Sequence, residues 1–569
     1  MKTFTRRAGA VVLTGALTGL AAIAAAVVPI TVGSGADQAD QGRLGDSLQS
    51  GVVTQSETDG KGKGKPGDPG KPTDPDLGPE VPADADLLRA GASVVSIFPN
   101  PPEGALWETD YDKCATLTEA TLTAMGGGDF AMTDHLASTG SPWPENPNCI
   151  YMGGYGIGPM NPIVDVDDAA GLYVRSFAAI DDEDDAVVLT IVDGEGWFWE
   201  YQTKCAECGS KQIAAAMGQE LGIDPAGIVI AATHSHTSPD FIGGWGFVPD
   251  WYMQQTTEAI KQSIRDAVNG AAPAVIEIGE ERAREHNRER RDTYRSAEEQ
   301  QVSWFRALEV ADGRFVLDED GDVSTIATIG AYAAHPTTAD EGGGIGHADW
   351  PGFFANQLEE RFGGAGMHFM TGLGNMSASG GTEMGTRLAN VLPDVLDGTI
   401  LTNTDISAVQ TTWNHPATNV PLTALALPGF FDHPITQGPA EVRTGKSPDT
   451  APCASASPVS AEVPASAMFI GPDLAITASP GEVFANLTNT LKEKSGARVT
   501  LPLGQANDAL GYMPQSFELN PVGQQGLGFA AGGYLIVNYE DSYSIDRCFG
   551  DMALETTLGL LIEARAGVK

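Results

Sequence analysis

Two apolar patterns alternate along the chain after about residue 92. Short unbroken runs (Ala186–Val192, Gly227–Ala232, Ala274–Ile278, Thr325–Ala334 and Leu474–Ser479) have the length and β-branched content of strands buried on both faces. Between them, Gln212–Leu221, Trp251–Asn269 and the run from Val483 carry apolar residues at helical spacing. The alternation predicts an α/β domain built on a large, at least partly parallel, mixed sheet with long loops. From about Ser407 to Pro464 the rhythm gives way to Pro- and Thr-rich sequence, which reads as long loops or an antiparallel insertion. Asp181–Asp185 and Asp318–Asp322 sit between apolar runs and lack the closing Glu of an EF-hand, so both read as solvated hairpin turns.

The front of the chain follows other rules. Lys2, Arg6 and Arg7, the apolar run Ala8–Ile30 and the small residues Ser34-Gly35-Ala36 together read as an export signal over residues 1–36. The run is also long enough to span a bilayer, so a membrane-anchored form is the alternative to a secreted one. Residues 37–85, rich in Pro, Gly and Lys, have too little apolar content for a core and read as a tether, leaving 86–569 as the folded domain. The formal net charge is −42, and acid and base nearly balance in the front segment, so the domain itself is strongly acidic. That argues against nucleic acid as a partner. Six cysteines, an even number in a chain read as exported, point to disulfides. Cys205 and Cys208 form a lone CxxC with no second pair for a zinc ribbon, which favours a local disulfide. That leaves Cys114–Cys149 and Cys453–Cys548 as one pairing among those open.

Candidate chemistry collects at strand ends. The run Gly227–Ala232 leads into Thr233-His234-Ser235-His236-Thr237, where an extended chain would turn both imidazoles to one side. A second run ends at His335-Pro336-Thr337, and a third at Pro480-Gly481-Glu482. His, His and Glu delivered by three strand ends form a usual donor set for a catalytic zinc at the carboxyl edge of a sheet. Asp349 is expected either to orient a metal-bound histidine or to cap the helix that follows it.

Several stretches, in chain order, resemble the neutral/alkaline ceramidases. They are Ala90–Val95, Gly153-Gly154-Tyr155-Gly156, Leu172–Phe177, Ala232–Pro239, His286-Asn287-Arg288, Ala334–Thr337, Ser479–Glu482, Gly511-Tyr512-Met513-Pro514 and Tyr539-Glu540. The resemblance covers about residues 88–569. It implies one zinc ion held by His234, His335, Glu482 and Tyr512, with His236 facing the substrate and Arg288 and Tyr539 polarising the scissile carbonyl. The implied reaction is hydrolysis of the amide of an N-acylated, ceramide-like lipid, or of a small extracellular substrate, and the lipid could be reached from a membrane surface. Two departures stand out. Gly372–Gly380 replaces the family's serine-bearing segment without its Asp and Pro, leaving Asn375 and Ser377 without assigned roles, and the family's C-terminal β-sandwich has no counterpart after Tyr539-Glu540 and one helix.

A bound zinc lowers the pKa of water to about 7 and polarises a carbonyl. His236, Arg288 and Tyr539 would donate to the developing oxyanion, with His236 also protonating the leaving amine. Two other functions fit the same inventory: a metal-dependent phosphoesterase, and an inactive relative that binds a ligand or an envelope component. The Trp-bearing loop Phe241–Phe247 reads either as a pocket wall or as core.

Overall fold

The computed structural model describes residues 77–115, 148–154, 161–167, 169–243, 247–291, 297–339, 343–419, 422–423, 431–519 and 539–568. The signal and most of the tether lie outside them, as do Tyr155, Gly156 and Trp245.

The main sheet has 11 strands. In chain order, the elements of this region are β1 (Leu77–Glu80), β2 (Leu88–Ser96), β3 (Tyr173–Ile180), β4 (Ala186–Val192), helix α1 (Ser210–Leu221), β5 (Ile228–Ala232), α2 (Asp250–Asn269), β6 (Ala272–Arg282), the short β7 (Asn287–Glu289) outside the sheet, β8 (Gln301–Ala311), β9 (Arg314–Val316), β10 (Thr325–Tyr332), α3 (Asp349–Phe362) and β11 (Ala365–Met370). The two-residue strand Thr399–Ile400, paired with β6, is the sheet's remaining strand. The sheet runs β1–β9–β8–β6–β2–β3–β4–β5, and β10 pairs with both β8 and β11. β4/β5 and β10/β11 are parallel, each linked through a helix, while β8 pairs antiparallel with both β6 and β10. The strand β7 lies apart, paired with β12 (Met376–Ala378).

The region after residue 400 builds a second sheet of five strands. It contains β13 (Ile406–Pro416), β14 (Thr436–Arg443), β15 (Ala454–Ile470), β16 (Leu474–Ala478) and, after β17 (Glu482–Val483) and α4 (Ala485–Lys494), β18 (Val499–Leu503). A short β19 (Tyr512–Met513) and the terminal α5 (Phe549–Gly567) complete the described elements used below. The Pro/Thr-rich stretch is thus the antiparallel insertion: β13 and β14 both pair antiparallel with β15.

The two sheets face each other. Phe177, Leu189, Ile276 and Ile329 from the first meet Met468, Ile476 and Leu501 from the second in one buried core. Strands buried on both faces explain why their sequences are unbroken apolar runs rather than alternating ones. Helices close the outside: Tyr252 and Ile260 of α2 pack on one sheet, Phe549 and Leu554 of α5 on the other. The layering is helix, sheet, sheet, helix, which is the α/β mixed-sheet class expected.

Two local expectations need adjustment, and a third holds. Leu77–Glu80 pairs with β9 as an edge strand, although its sequence falls inside the segment read as a tether. Pro and Gly density hid a strand with only Gly78 buried and Leu77 half-buried. The helix after Glu482 starts at Ala485 rather than Val483, because Glu482 and Val483 pair with β19. Both acidic clusters are hairpin turns, with Asp181 Oδ1 accepting from the amides of Glu183 and Asp185, and Asp318 Oδ1 from those of Asp320 and Asp322.

Candidate metal centre

A single loop ties strand ends of both sheets together. After β18, Gly504 N donates to Met370 O at the end of β11 (2.8 Å), Gln505 N to Gly481 O (2.9 Å) and Ala506 N to Ser479 O (3.0 Å). Asn507 N donates to Ile230 O (2.7 Å) and Ala232 N to Gln505 O (3.0 Å). The Asn507 side chain accepts from Ile230 N (3.0 Å), so the outer edge of β5 is engaged at Ile230 and Ala232. Gln505 and Asn507 take φ values of 51° and 65°, the left-handed turns that let the loop double back.

His234 also lies in the left-handed region, at φ 56°, a conformation costing about 1–3 kcal/mol that persists only where surroundings fix it. Its ring is fixed: Nδ1 bonds Glu195 O at 2.7 Å. His335 is held in the same way, Nδ1 to Leu373 O at 2.7 Å. A backbone carbonyl can only accept, so both rings carry the proton on Nδ1 and present an Nε2 lone pair. Those lone pairs face one carboxylate. Glu482 Oε2 stands 2.9 Å from His335 Nε2 and 3.5 Å from His234 Nε2, and the latter nitrogen makes no hydrogen bond. The parallel pairing of β17 with β19 sets Glu482 opposite Tyr512, whose hydroxyl is 3.3 Å from His335 Nε2.

Three buried acceptors aimed at one another are stable only with protons or a cation between them. The proton-only electrostatics show the conflict. Burial disfavours a charged His234, yet Glu482 overrides it and holds that imidazole up at about 9. Burial and the Arg290 guanidinium push His335 down to about 4. Despite its burial, Glu482 is held well below the usual carboxylate range by His234 and His335. One proton is being asked to serve two rings, and a divalent ion removes that conflict. The donor set suits such an ion. Among the described residues, His234, His236 and His335 each offer a ligand atom within 4.8 Å of the others.

His236 reaches the cluster by a different route. The left-handed turn at His234 breaks strand alternation, so the two rings meet edge to face, centroids 5.2 Å apart, instead of lying side by side. His236 N donates to Pro336 O (3.2 Å), which ties the His-x-His segment to the His335 strand end. Burial and the neighbouring imidazoles His234 and His335 keep His236 well below the ordinary histidine value. Room for the ring comes from Gly154, where any Cβ would collide with His236, and Gly153 likewise clears the Glu195 side chain.

The remaining sequence candidates are placed as follows. Arg288 is exposed on β7, in register with Ser377. The guanidinium that reaches the cluster belongs to Arg290, whose Nη2 donates to Tyr512 Oη (3.0 Å) and Gly374 O (2.9 Å) while Nε pairs with Glu540 (2.8 Å). Four residues, Arg288-Glu289-Arg290-Arg291, gave no periodic signal for choosing among the arginines. The Tyr539 side chain lies outside the described residues. Asn375 is a structural tie, accepting from Ala485 N (2.8 Å) and donating to Ala297 O (2.8 Å), while Ser377 bridges the His335 backbone. Asp349 bonds no metal-facing histidine ring: its carboxylate receives Thr338 N and Ala339 N at 2.9 Å each, pinning the loop that follows His335, and its Oδ1 also accepts from Trp350 N in the first turn of α3. Phe241, from the Trp-bearing loop, packs in the core between Trp197 and Tyr252. Glu195, whose main-chain oxygen holds the His234 ring and whose carboxylate lies 3.7 Å from the same nitrogen, was not singled out in the sequence.

No family model matches the chain, and no curated protein is similar to it at a significant level. Solved structures are similar in fold. A neutral ceramidase from Pseudomonas aeruginosa superposes with a TM-score of 0.55 at 14% identity, covering 85% of this chain and 75% of that one. A ceramidase complexed with C2 superposes at 0.52 and 14% identity, covering 84% and 75%. Over most of its length, this chain therefore has the fold of the neutral ceramidases.

Proposed function

We propose that the protein is an exported, zinc-dependent amidohydrolase that cleaves the N-acyl bond of a ceramide-like lipid. One observation carries the reading. Two imidazoles, each fixed at Nδ1 by a backbone carbonyl, turn Nε2 toward the same buried carboxylate at the carboxyl edge of a ceramidase-like fold. His234, His335, Glu482 and Tyr512 would hold the ion. When bound, it supplies Lewis acidity and brings the pKa of water toward neutrality. His236, kept neutral, is then free to take up a proton and pass it to the leaving amine. Arg290, joined to Tyr512, holds a positive charge next to the site and so joins Arg288 and Tyr539 as a group to stabilise developing negative charge. The three disulfides in the structure support export, as they suit an oxidising compartment.

The test is metal content and turnover on the same preparation. One zinc per chain, with release of fatty acid from an N-acylsphingosine and loss of both in H234A, is the expected result. Two metals per chain with activity on phosphate esters would replace this reading with the phosphoesterase, and no metal with no turnover would leave a binding protein.

A further inference from the structure

Outside the ligand set, one buried carboxylate touches both supports of the site. Glu299 is 1% exposed and lies in no strand or helix. Its Oε2 accepts from Gly372 N at 3.0 Å, the residue before Leu373, whose carbonyl holds His335. The same oxygen accepts from Thr488 Oγ1 on α4, the helix that begins three residues after Glu482. Oε1 pairs at 2.9 Å with Lys492, one turn further along that helix, and Lys492 also reaches Glu280 at 3.3 Å. The main-chain oxygen of Glu299 accepts from Asn287 Nδ2 (2.7 Å), which also donates to Ala333 O, two residues before His335. A side chain at position 372 would strike Glu299 and Thr488, so the loop is pressed against this carboxylate.

We infer that Glu299 is a positioning residue for the metal centre, setting the spacing between His335 and Glu482 by tying the loop of one to the helix of the other. The inference rests on the metal reading above. Its physical basis is leverage. His335 and Glu482 belong to different sheets, and a charged strut between their supports resists sliding better than apolar packing, which has no preferred register. A carboxylate serves where an amide would not, because one oxygen accepts two hydrogen bonds while the other carries charge against the Lys492 ammonium.

Metal affinity separates this role from a merely structural one. Zinc is removed, and the dissociation constant for Co²⁺ is measured by competition with a chromophoric chelator, with the visible spectrum of bound Co²⁺ recorded. In E299Q the dissociation constant is expected to rise by about 10–100-fold, with a changed spectrum. T488V, nearly isosteric and cutting only the helix tie, should show a smaller rise and guards against a folding defect in E299Q. The control is E277Q, which breaks a buried pair of the same kind (Arg306–Glu277, 2.9 Å) within the main sheet. That variant should lose thermal stability and keep its affinity. Unchanged affinity in E299Q and T488V overturns the inference, as does an equal loss in E277Q. A wild-type chain that binds no ion instead overturns the metal reading itself.

Discussion

At position 154 the absence of a side chain is what leaves space for an imidazole. G154A puts a methyl into His236 Cβ and Nδ1, so the ring must move while His234, His335 and Glu482 stay put. Displacing a reacting group by about 1 Å can cost roughly 100-fold in rate. Steady-state kinetics on an N-acyl substrate should show that fall in kcat/KM, with metal content unchanged. A second residue predicts a pH effect on stability. Burial raises the Glu518 carboxyl from its ordinary 4.5 to about 7, although Gln515 N and Asn486 Nδ2 donate to it. The folded state therefore holds a proton that the unfolded state releases. Stability from this group is full below pH 4.5 and is lost as pH rises through about 7. Thermal melts of E518Q should fall off less steeply than wild type over that window. At this scale, side chains at strand ends were legible in the sequence: His234, His335 and Glu482 each follow an apolar run. Main-chain oxygens such as those of Glu195 and Leu373 were not, because a carbonyl has no residue type.

Elements were legible wherever one apolar pattern filled them. β4, β5, β10 and β16 fall where the unbroken runs placed them, and α1 and α2 begin within two residues of their expected starts. The misreadings came from context. β1 is an edge strand whose pairing, not composition, makes it one, and Val483 belongs to a two-residue strand that only β19 can define. The loop after β18 was invisible for the same reason, although it closes the site. Its leverage can be measured at Asn507, whose side chain caps Ile230 N from a left-handed backbone. N507A leaves a buried amide without its acceptor and should cost about 1–3 kcal/mol in urea unfolding. N507D, which keeps an acceptor oxygen, should lose less.

For the whole molecule, two disulfides of very different span should differ in worth. Cys453–Cys548 closes a separation of 95 residues and fastens the start of β15 to the start of α5, whereas Cys205–Cys208 spans 3. On the loop-closure model, C453S/C548S loses about 4–5 kcal/mol and C205S/C208S about 2 kcal/mol, read from denaturant midpoints under non-reducing conditions. The layering of the sheets follows from the runs' two-sided burial, which the sequence shows. Which sheet each run joins does not follow, because the facing strands share one core and one kind of residue.

The joining loop at residues 504–507 also fixes an order of events. It bonds β5 and β11 of one sheet and the end of β16 in the other, so His234 and Glu482 become neighbours only when the two sheets have docked. The main sheet alone gathers His234, His236 and His335, but Glu482 joins them only when the second sheet is in place. On a growing chain, His234 emerges long before Glu482, and Tyr512 later still, so the full donor set exists only in the finished polypeptide. Exported chains cross a membrane unfolded or folded depending on the route taken. If the proposed export passes the chain unfolded, the full donor set assembles only after the crossing.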